Sequence, residues 1–178
     1  MLEKFRRYVS DNRLFSQSDN ILIANSGGLD SMALTKLFEL EGYQFGLAHC
    51  NFRLRGKDSD ADEYFVRTFA GHLKVPFFCE SFDTALFAEH LKISIQEAAR
   101  ELRYKWFEQI VVENGFDFYA TAHHFDDQTE TFFINLFRST GVSGLRGIKP
   151  QSGRCVRPML FATRREIEGF AKKHRIEY

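Results

Sequence analysis

The sequence predicts an α/β fold, a parallel sheet with helices on both faces. Two observations carry this. Short apolar runs of strand length alternate with amphipathic helical patterns, and polar segments follow directly on the ends of those runs. In an open parallel sheet the binding crevice lies outside the carboxyl ends of the strands, so these polar segments are the candidate site.

Asn20-Ile21-Leu22-Ile23-Ala24-Asn25 reads as the first strand and ends in Ser26-Gly27-Gly28, after which Met32, Ala33, Leu34, Leu37, Phe38 and Leu40 follow a helical pattern. A second strand, Gln44 to Asn51, follows Gly42, and the acid-rich stretch from Lys57 to His72 carries Phe65, Val66, Phe69 and then Leu73 at helical spacing. The third strand is Val75 to Ser81. Ser94-Ile95-Gln96-Glu97 has the pattern of a capping box, opening a long amphipathic helix to about Val112 that Gly115 ends. Phe116 to Ala122 is the fourth strand, running into His123-His124-Phe125-Asp126-Asp127-Gln128-Thr129-Glu130-Thr131 and an apolar helix, Phe132 to Phe137. Beyond a Gly-rich loop, Thr163-Arg164-Arg165-Glu166 is a second capping box whose helix ends near His174.

With 178 residues, 44% of them hydrophobic, the chain is expected to be one domain with a real core. The core covers about 20–137 and a basic part covers 138–178. Net charge is zero, but up to Phe137 there are 14 Lys/Arg against 21 Asp/Glu, a balance of −7, and from Arg138 onward 10 against 3, a balance of +7. The second part is a candidate for contact with a polyanion, although a solvated basic face has the same composition. No apolar run approaches the roughly 18 residues of a membrane span, and the N-terminus lacks the pattern of a signal peptide, so no membrane partner and a cytoplasmic location are expected. Cys50, Cys79 and Cys155 form no C-x-x-C pair, which offers neither a disulfide framework nor the usual thiolate metal site.

Ser26-Gly27-Gly28-Leu29-Asp30-Ser31 sits between a strand and a helix, where glycines let backbone N–H groups approach an anion and the helix dipole adds positive potential. A bare S-G-G is also simply a turn. The loop lacks G-x-x-x-x-G-K-[ST] and G-x-G-x-x-G, which argues against γ-phosphate transfer and hydride chemistry. His123, Asp127 and Glu130, taken as positions on one helix, fall along one face and bring two carboxylates to the crevice, while acids at a helix start are also stabilising without any function.

The complete strings add a resemblance. S-G-G-x-D-S after a strand resembles the signature of the PP-loop pyrophosphatases, which cleave ATP between the α- and β-phosphates. His123 through Thr131 is similar to the H-x-x-D-D-Q-x-E-T segment of tRNA(Ile)-lysidine synthetases. Gln96-Glu97-Ala98-Ala99-Arg100-Glu101-Leu102-Arg103-Tyr104 is similar to that family's E-x-A-A-R-x-x-R-Y, and His49-Cys50-Asn51-Phe52-Arg53-Leu54-Arg55 resembles, more loosely, its H-x-x-L-R segment beside the adenosine. Gly141 to Gly147 resembles its Gly-rich loop, with Ser139 where the family usually has a further Gly, and Arg157-Pro158-Met159-Leu160 its R-P-L-L element.

The resemblance implies a Rossmann-like PP-loop (adenine nucleotide α-hydrolase-like) fold, a chain corresponding to the family's N-terminal catalytic part without its C-terminal domains, and ATP and Mg²⁺ as co-substrate and cofactor. It implies nucleotide contacts from Ser26, Gly27, Gly28, Leu29, Asp30, Ser31 and His49, with Asp30 also the Mg²⁺ ligand. Arg100, Arg103, His123, Asp127 and Glu130 are then substrate-binding, with Asp30, Arg103, Asp127 and Glu130 catalytic. The implied partners are an isoleucine tRNA with cytidine at the wobble position and free L-lysine. A PP-loop tRNA thiolase and a noncatalytic adenine-nucleotide-binding module are the alternatives.

Overall fold

The computed structural model of the chain describes residues 1–137 and 147–178. The predicted Gly-rich loop lies outside these residues except for Gly147. Leu2–Asp11 (α1) precedes Asn20–Ala24 (β1), Leu29–Glu41 (α2), Gln44–Asn51 (β2), Lys57–Leu73 (α3) and Phe77–Ser81 (β3). Thr84–Leu91 (α4), Ile95–Asn114 (α5), Phe118–Ala120 (β4) and Phe125–Phe137 (α6) follow, then Gln151–Ser152 (β5), Cys155–Val156 (β6) and Arg164–His174 (α7).

The strands form one sheet in the order β3-β2-β1-β4-β6-β5. Every neighbouring pair is parallel except β5 with β6, where Gln151 faces Val156 and Ser152 faces Cys155. The chain leaves β1 toward β2 on one side and reaches β4 on the other, so the direction of winding reverses between β1 and β4. That reversal opens a crevice at their carboxyl ends.

Both faces of the sheet are covered, and the alternation of side chains along each strand decides which residue serves which layer. Ile21, Ile23, Phe45, Leu47, Ala120 and Val156 pack under α1, α2, α3 and α7, while Leu22, Ala48, Tyr119 and Cys155 pack under α5 through Phe107, Ile110 and Val111. Each fully buried large side chain contributes on the order of 1.5–3 kcal/mol. Gly46 is set by this packing: a Cβ there would stand 2.9 Å from Cζ of Phe116.

Both capping boxes form as expected. Ser94 and Glu97 satisfy each other's backbone at the start of α5, and Thr163 and Glu166 do so at the start of α7. One expected arrangement does not form. His123 is not on the helix with Asp127 and Glu130, because α6 begins at Phe125 and Asp127 Oδ2 accepts the His124 N–H at 2.8 Å, fixing the helix start after both histidines. His123 therefore belongs to the segment leaving β4. Among the described residues no helix is long and apolar enough to cross a membrane.

Candidate active site

A cleft of about 340 Å³ opens at the carboxyl ends of β1, β2 and β4, walled on one side by α5. Its floor is the turn from β1 into α2. Gly27 there adopts φ +82°, a left-handed conformation that costs glycine little. The N-cap of α2 is Gly28, with no side-chain cap hydrogen bond. The first-turn N–H groups of α2 thus have no side-chain partner at their end of the helix, and with the dipole they make a seat for an anion.

The turn is held by Asn25, a residue only 2% exposed. Its Oδ1 accepts the Gly27 N–H at 2.8 Å and lies 3.1 Å from Ser31 Oγ, while its Nδ2 donates to Thr35 Oγ1 at 2.9 Å. The Ser31 hydroxyl in turn accepts the Ser26 N–H at 3.2 Å and lies 3.3 Å from the Ser26 hydroxyl. Ser26, Gly28, Asp30 and Ser31 line the cleft. Gly27 and Leu29 belong to the same turn but face away from it: the Gly27 N–H is taken by Asn25 and the Leu29 side chain is in the core.

His49 stands behind this turn rather than in the cleft. It is 4% exposed and its Nδ1 is 3.0 Å from the Asn25 carbonyl oxygen. Burial pushes its pKa below the usual imidazole range, against the opposing effect of that hydrogen bond.

The opposite wall carries Arg103, Tyr104, Thr121, His123 and Asp127. Arg103 lies over the Phe52 ring at 5.2 Å, and Phe52 is stacked on Phe82 at 5.7 Å, so the guanidinium is braced from below. Arg100, one turn earlier, is exposed and lies over the ring of Tyr104 at 4.8 Å. His123 Nδ1 is 2.8 Å from Thr121 Oγ1. Its pKa is pushed down to about 4, first by burial and then by the positive charge of Arg157, with Arg100 and Arg103 adding to the effect and Asp127 opposing it. The imidazole facing the cleft is therefore neutral at physiological pH. Glu130 is exposed on α6, outside the cleft lining.

The structure thus brings Ser26, Gly28, Asp30, Ser31, Arg103, His123 and Asp127 to one cleft, and leaves Arg100, Glu130 and His49 around it. Four residues not singled out from the sequence stand in or beside the cleft: Asn25 and Thr121 line it, and His124 and Arg164 lie against Asp30. Asn25 had one visible mark, an amide closing an otherwise apolar strand. Arg164 was visible only as part of a capping box. It reaches Asp30 with Nη1 2.8 Å from each carboxylate oxygen.

Asp30 and Asp127 are the carboxylates that line the cleft. Mg²⁺ is commonly held by one or two carboxylates together with substrate phosphate oxygens, so this donor set fits it.

The arrangement can seat a phosphate at the start of α2 and set a cation and a carboxylate across from it. Known proteins share this frame. The chain is similar to the N-terminal part of the tRNA(Ile)-lysidine synthase of Bacteroides thetaiotaomicron, 47% identical over 161 residues that cover 90% of this chain and 38% of that protein. It is 44% identical to the tRNA(Ile)-lysidine synthase of Chlorobaculum tepidum over 178 residues, 98% of this chain and 54% of that protein. It therefore spans between about two fifths and just over half of these relatives' lengths.

Among solved structures it resembles the U34-tRNA thiolase NcsA from Methanococcus maripaludis, at TM-score 0.77 and 18% identity, covering 99% of this chain and 64% of that one. It also resembles the NH3-dependent NAD synthetase from Campylobacter jejuni, at TM-score 0.67 and 14% identity, covering 98% and 72%. These two show the fold alone. A family model for the PP-loop domain matches residues 1–178, from before the first strand through α7, and the chain belongs to that family.

Proposed function

We propose that this chain carries the ATP-dependent chemistry of a tRNA(Ile)-lysidine synthase. The observation that carries the reading is the cleft, where the uncapped start of α2 with Asp30 and Ser31 faces Arg103 and Asp127. The names of the relatives at 44–47% identity supply the substrate class.

In this reading the 2-carbonyl oxygen of the wobble cytidine attacks the α-phosphorus of ATP. The P–O bond to the β-phosphate breaks, and pyrophosphate leaves into the seat formed by the first-turn N–H groups of α2 and the hydroxyls of Ser26 and Ser31. Asp30 would hold Mg²⁺, which supplies charge neutralisation for the phosphate oxygens. The side-chain amine of free lysine then attacks the activated ring carbon, the bond to the AMP oxygen breaks, and lysidine forms. A lysine amine has a reference pKa near 10.4, so about one molecule in a thousand or fewer is the free base at neutral pH. Asp127, with Glu130 nearby on α6, would bind the ammonium and accept its proton, and Arg103 would orient a phosphate or the lysine carboxylate. Arg100 and His123 complete the substrate side, with His123 contributing a neutral imidazole. Such a reaction belongs to the cytoplasm, where tRNA is found.

The test is release of pyrophosphate and AMP from ATP by this chain, with an isoleucine tRNA bearing wobble cytidine, with and without lysine. AMP formation that requires the tRNA, with lysine incorporated into it, supports the reading. ATP binding with no AMP formed turns the assignment toward a nucleotide-binding module.

A further inference from the structure

We propose that Arg164 is a positioning residue for this site, holding Asp30 and Asp126 in place from the start of α7. It lies 134 residues from Asp30, in the basic part of the chain. Its guanidinium Nη1 is 2.8 Å from both Asp30 oxygens, and its backbone N–H donates to Asp126 Oδ2 at 2.7 Å. One residue therefore grips the carboxylate at the start of α2 with its side chain and the carboxylate at the start of α6 with its main chain.

The grip is itself built. The Thr163–Glu166 capping box fixes the direction of the first turn of α7, and Arg164 Nε donates to Glu168 at 3.2 Å, which limits how far the guanidinium can swing. Lys4 Nζ on α1 donates to Glu166 at 2.6 Å, tying the box to the neighbouring helix.

His124 fills the space between these carboxylates. It is 7% exposed, with Nε2 3.8 Å from Asp30 Oδ2 and Nδ1 3.7 and 3.6 Å from Oδ2 of Asp126 and Asp127. Its Nδ1 has no hydrogen-bond partner among the described residues. Three like-charged groups around one ring repel one another unless fixed donors set their places, and Arg164 supplies two of these, its guanidinium on Asp30 and its backbone N–H on Asp126. The guanidinium is held at two points, with Nη1 on both Asp30 oxygens and Nε on Glu168, a two-point hold that the single ammonium of lysine does not reproduce.

The inference rests on the reading that Asp30 acts on the nucleotide. The test is a double-substitution cycle on this chain with Arg164→Ala, Asp30→Asn and both together, and with Arg164→Lys as a milder variant. ATP affinity in the presence of Mg²⁺, AMP formation with tRNA and thermal unfolding are measured for each. Arg164→Ala should slow AMP formation ~10- to 100-fold, as expected for a displaced catalytic group. Arg164→Lys should restore part of the rate, and in the Asp30→Asn background Arg164→Ala should have no further effect. A merely structural residue would cost the same in both backgrounds, and that result overturns the proposal. If the unsubstituted chain forms no AMP, that result bears on the ligase reading alone, and the same cycle read through ATP affinity still decides whether Arg164 acts through Asp30.

Discussion

Asn25 and Ser31, six residues apart, are joined across the turn between β1 and α2: the Ser31 hydroxyl lies 3.1 Å from Asn25 Oδ1 and 2.9 Å from the Gly28 carbonyl, its single proton shared between two acceptors. Asn25 is the hub, since the same oxygen also takes the Gly27 N–H and its amide nitrogen reaches Thr35. Replacing Asn25 by Ala strands these groups in a buried setting, at a cost of about 1–3 kcal/mol each for those that find no other partner. The variant should unfold at lower urea concentration and bind ATP more weakly than the unsubstituted chain. Unchanged ATP affinity in a folded Asn25→Ala protein would show that the turn keeps its shape without the amide.

His123 makes stability depend on pH. The folded protein keeps it neutral down to about pH 4, because burial and the nearby arginines disfavour its cation, whereas in the unfolded chain it protonates near 6.5. Unfolding then takes up a proton between those values, so stability falls as pH drops from about 6.5 toward 4. His49, whose pKa is also lowered, acts in the same direction. Glu166 works in a separate window. Its pKa is held at about 2, first by the Lys4 hydrogen bond and then by that from Thr163, so its contribution is lost only as pH falls below about 4.5. His123→Gln should flatten the loss above pH 4.5 by up to about 1.4 kcal/mol per pH unit, read from urea midpoints at pH 7, 6 and 5. An identical slope in the variant would mean that other groups carry it.

What the sequence made legible follows the range of the interactions. The capping boxes and all of β2 are local patterns and stand where those patterns put them. β3 and β4 start later than their apolar runs because the Val75 and Phe116 N–H groups close the ends of α3 and α5 on the Ala70 and Val111 carbonyls instead of joining a ladder. α1 buries only Phe5 and Val9 between charged neighbours, and β5 and β6 exist as two-residue strands only through pairing, so neither gave a pattern to read. The anion seat was legible as glycines between strand and helix. The contacts of Arg164 with Asp30 and Asp126 were not, since 134 and 38 residues of chain separate them.

Cys50 lines the cleft, and its reactivity separates a ligase from a sulfur-transferring enzyme. Burial pushes its thiol up to about 12 despite the opposing charge of Arg103. Cys79 is likewise pushed up to about 12 by burial and by Glu63, and Cys155 is raised by burial. At pH 8 a thiol with that pKa is thiolate in roughly one molecule in ten thousand, too few for a nucleophile or sulfur carrier. The folded chain should therefore react slowly with thiol reagents at pH 8, and Cys50→Ser should keep tRNA-dependent AMP formation. Fast labelling of Cys50, with turnover lost in the serine variant, would bring the thiolase reading forward.

Asp127 and Glu130 are expected to differ in what they do to lysine. Asp127 lines the cleft and its Oδ2 also accepts the His124 N–H at 2.8 Å, while Glu130 is exposed one turn further along α6. Asp127→Asn keeps an oxygen able to accept that N–H, so the start of α6 should survive, but it removes the negative charge that binds an ammonium and the base that takes its proton. The variant should still form AMP-activated tRNA and pyrophosphate yet fail to incorporate lysine. Glu130→Gln, acting from outside the cleft, should raise the KM for lysine with a smaller effect on the transfer rate. Radiolabelled lysine incorporation set beside pyrophosphate release separates the two steps. If both steps survive Asp127→Asn, the ammonium is received elsewhere and the assignment of Asp127 is wrong.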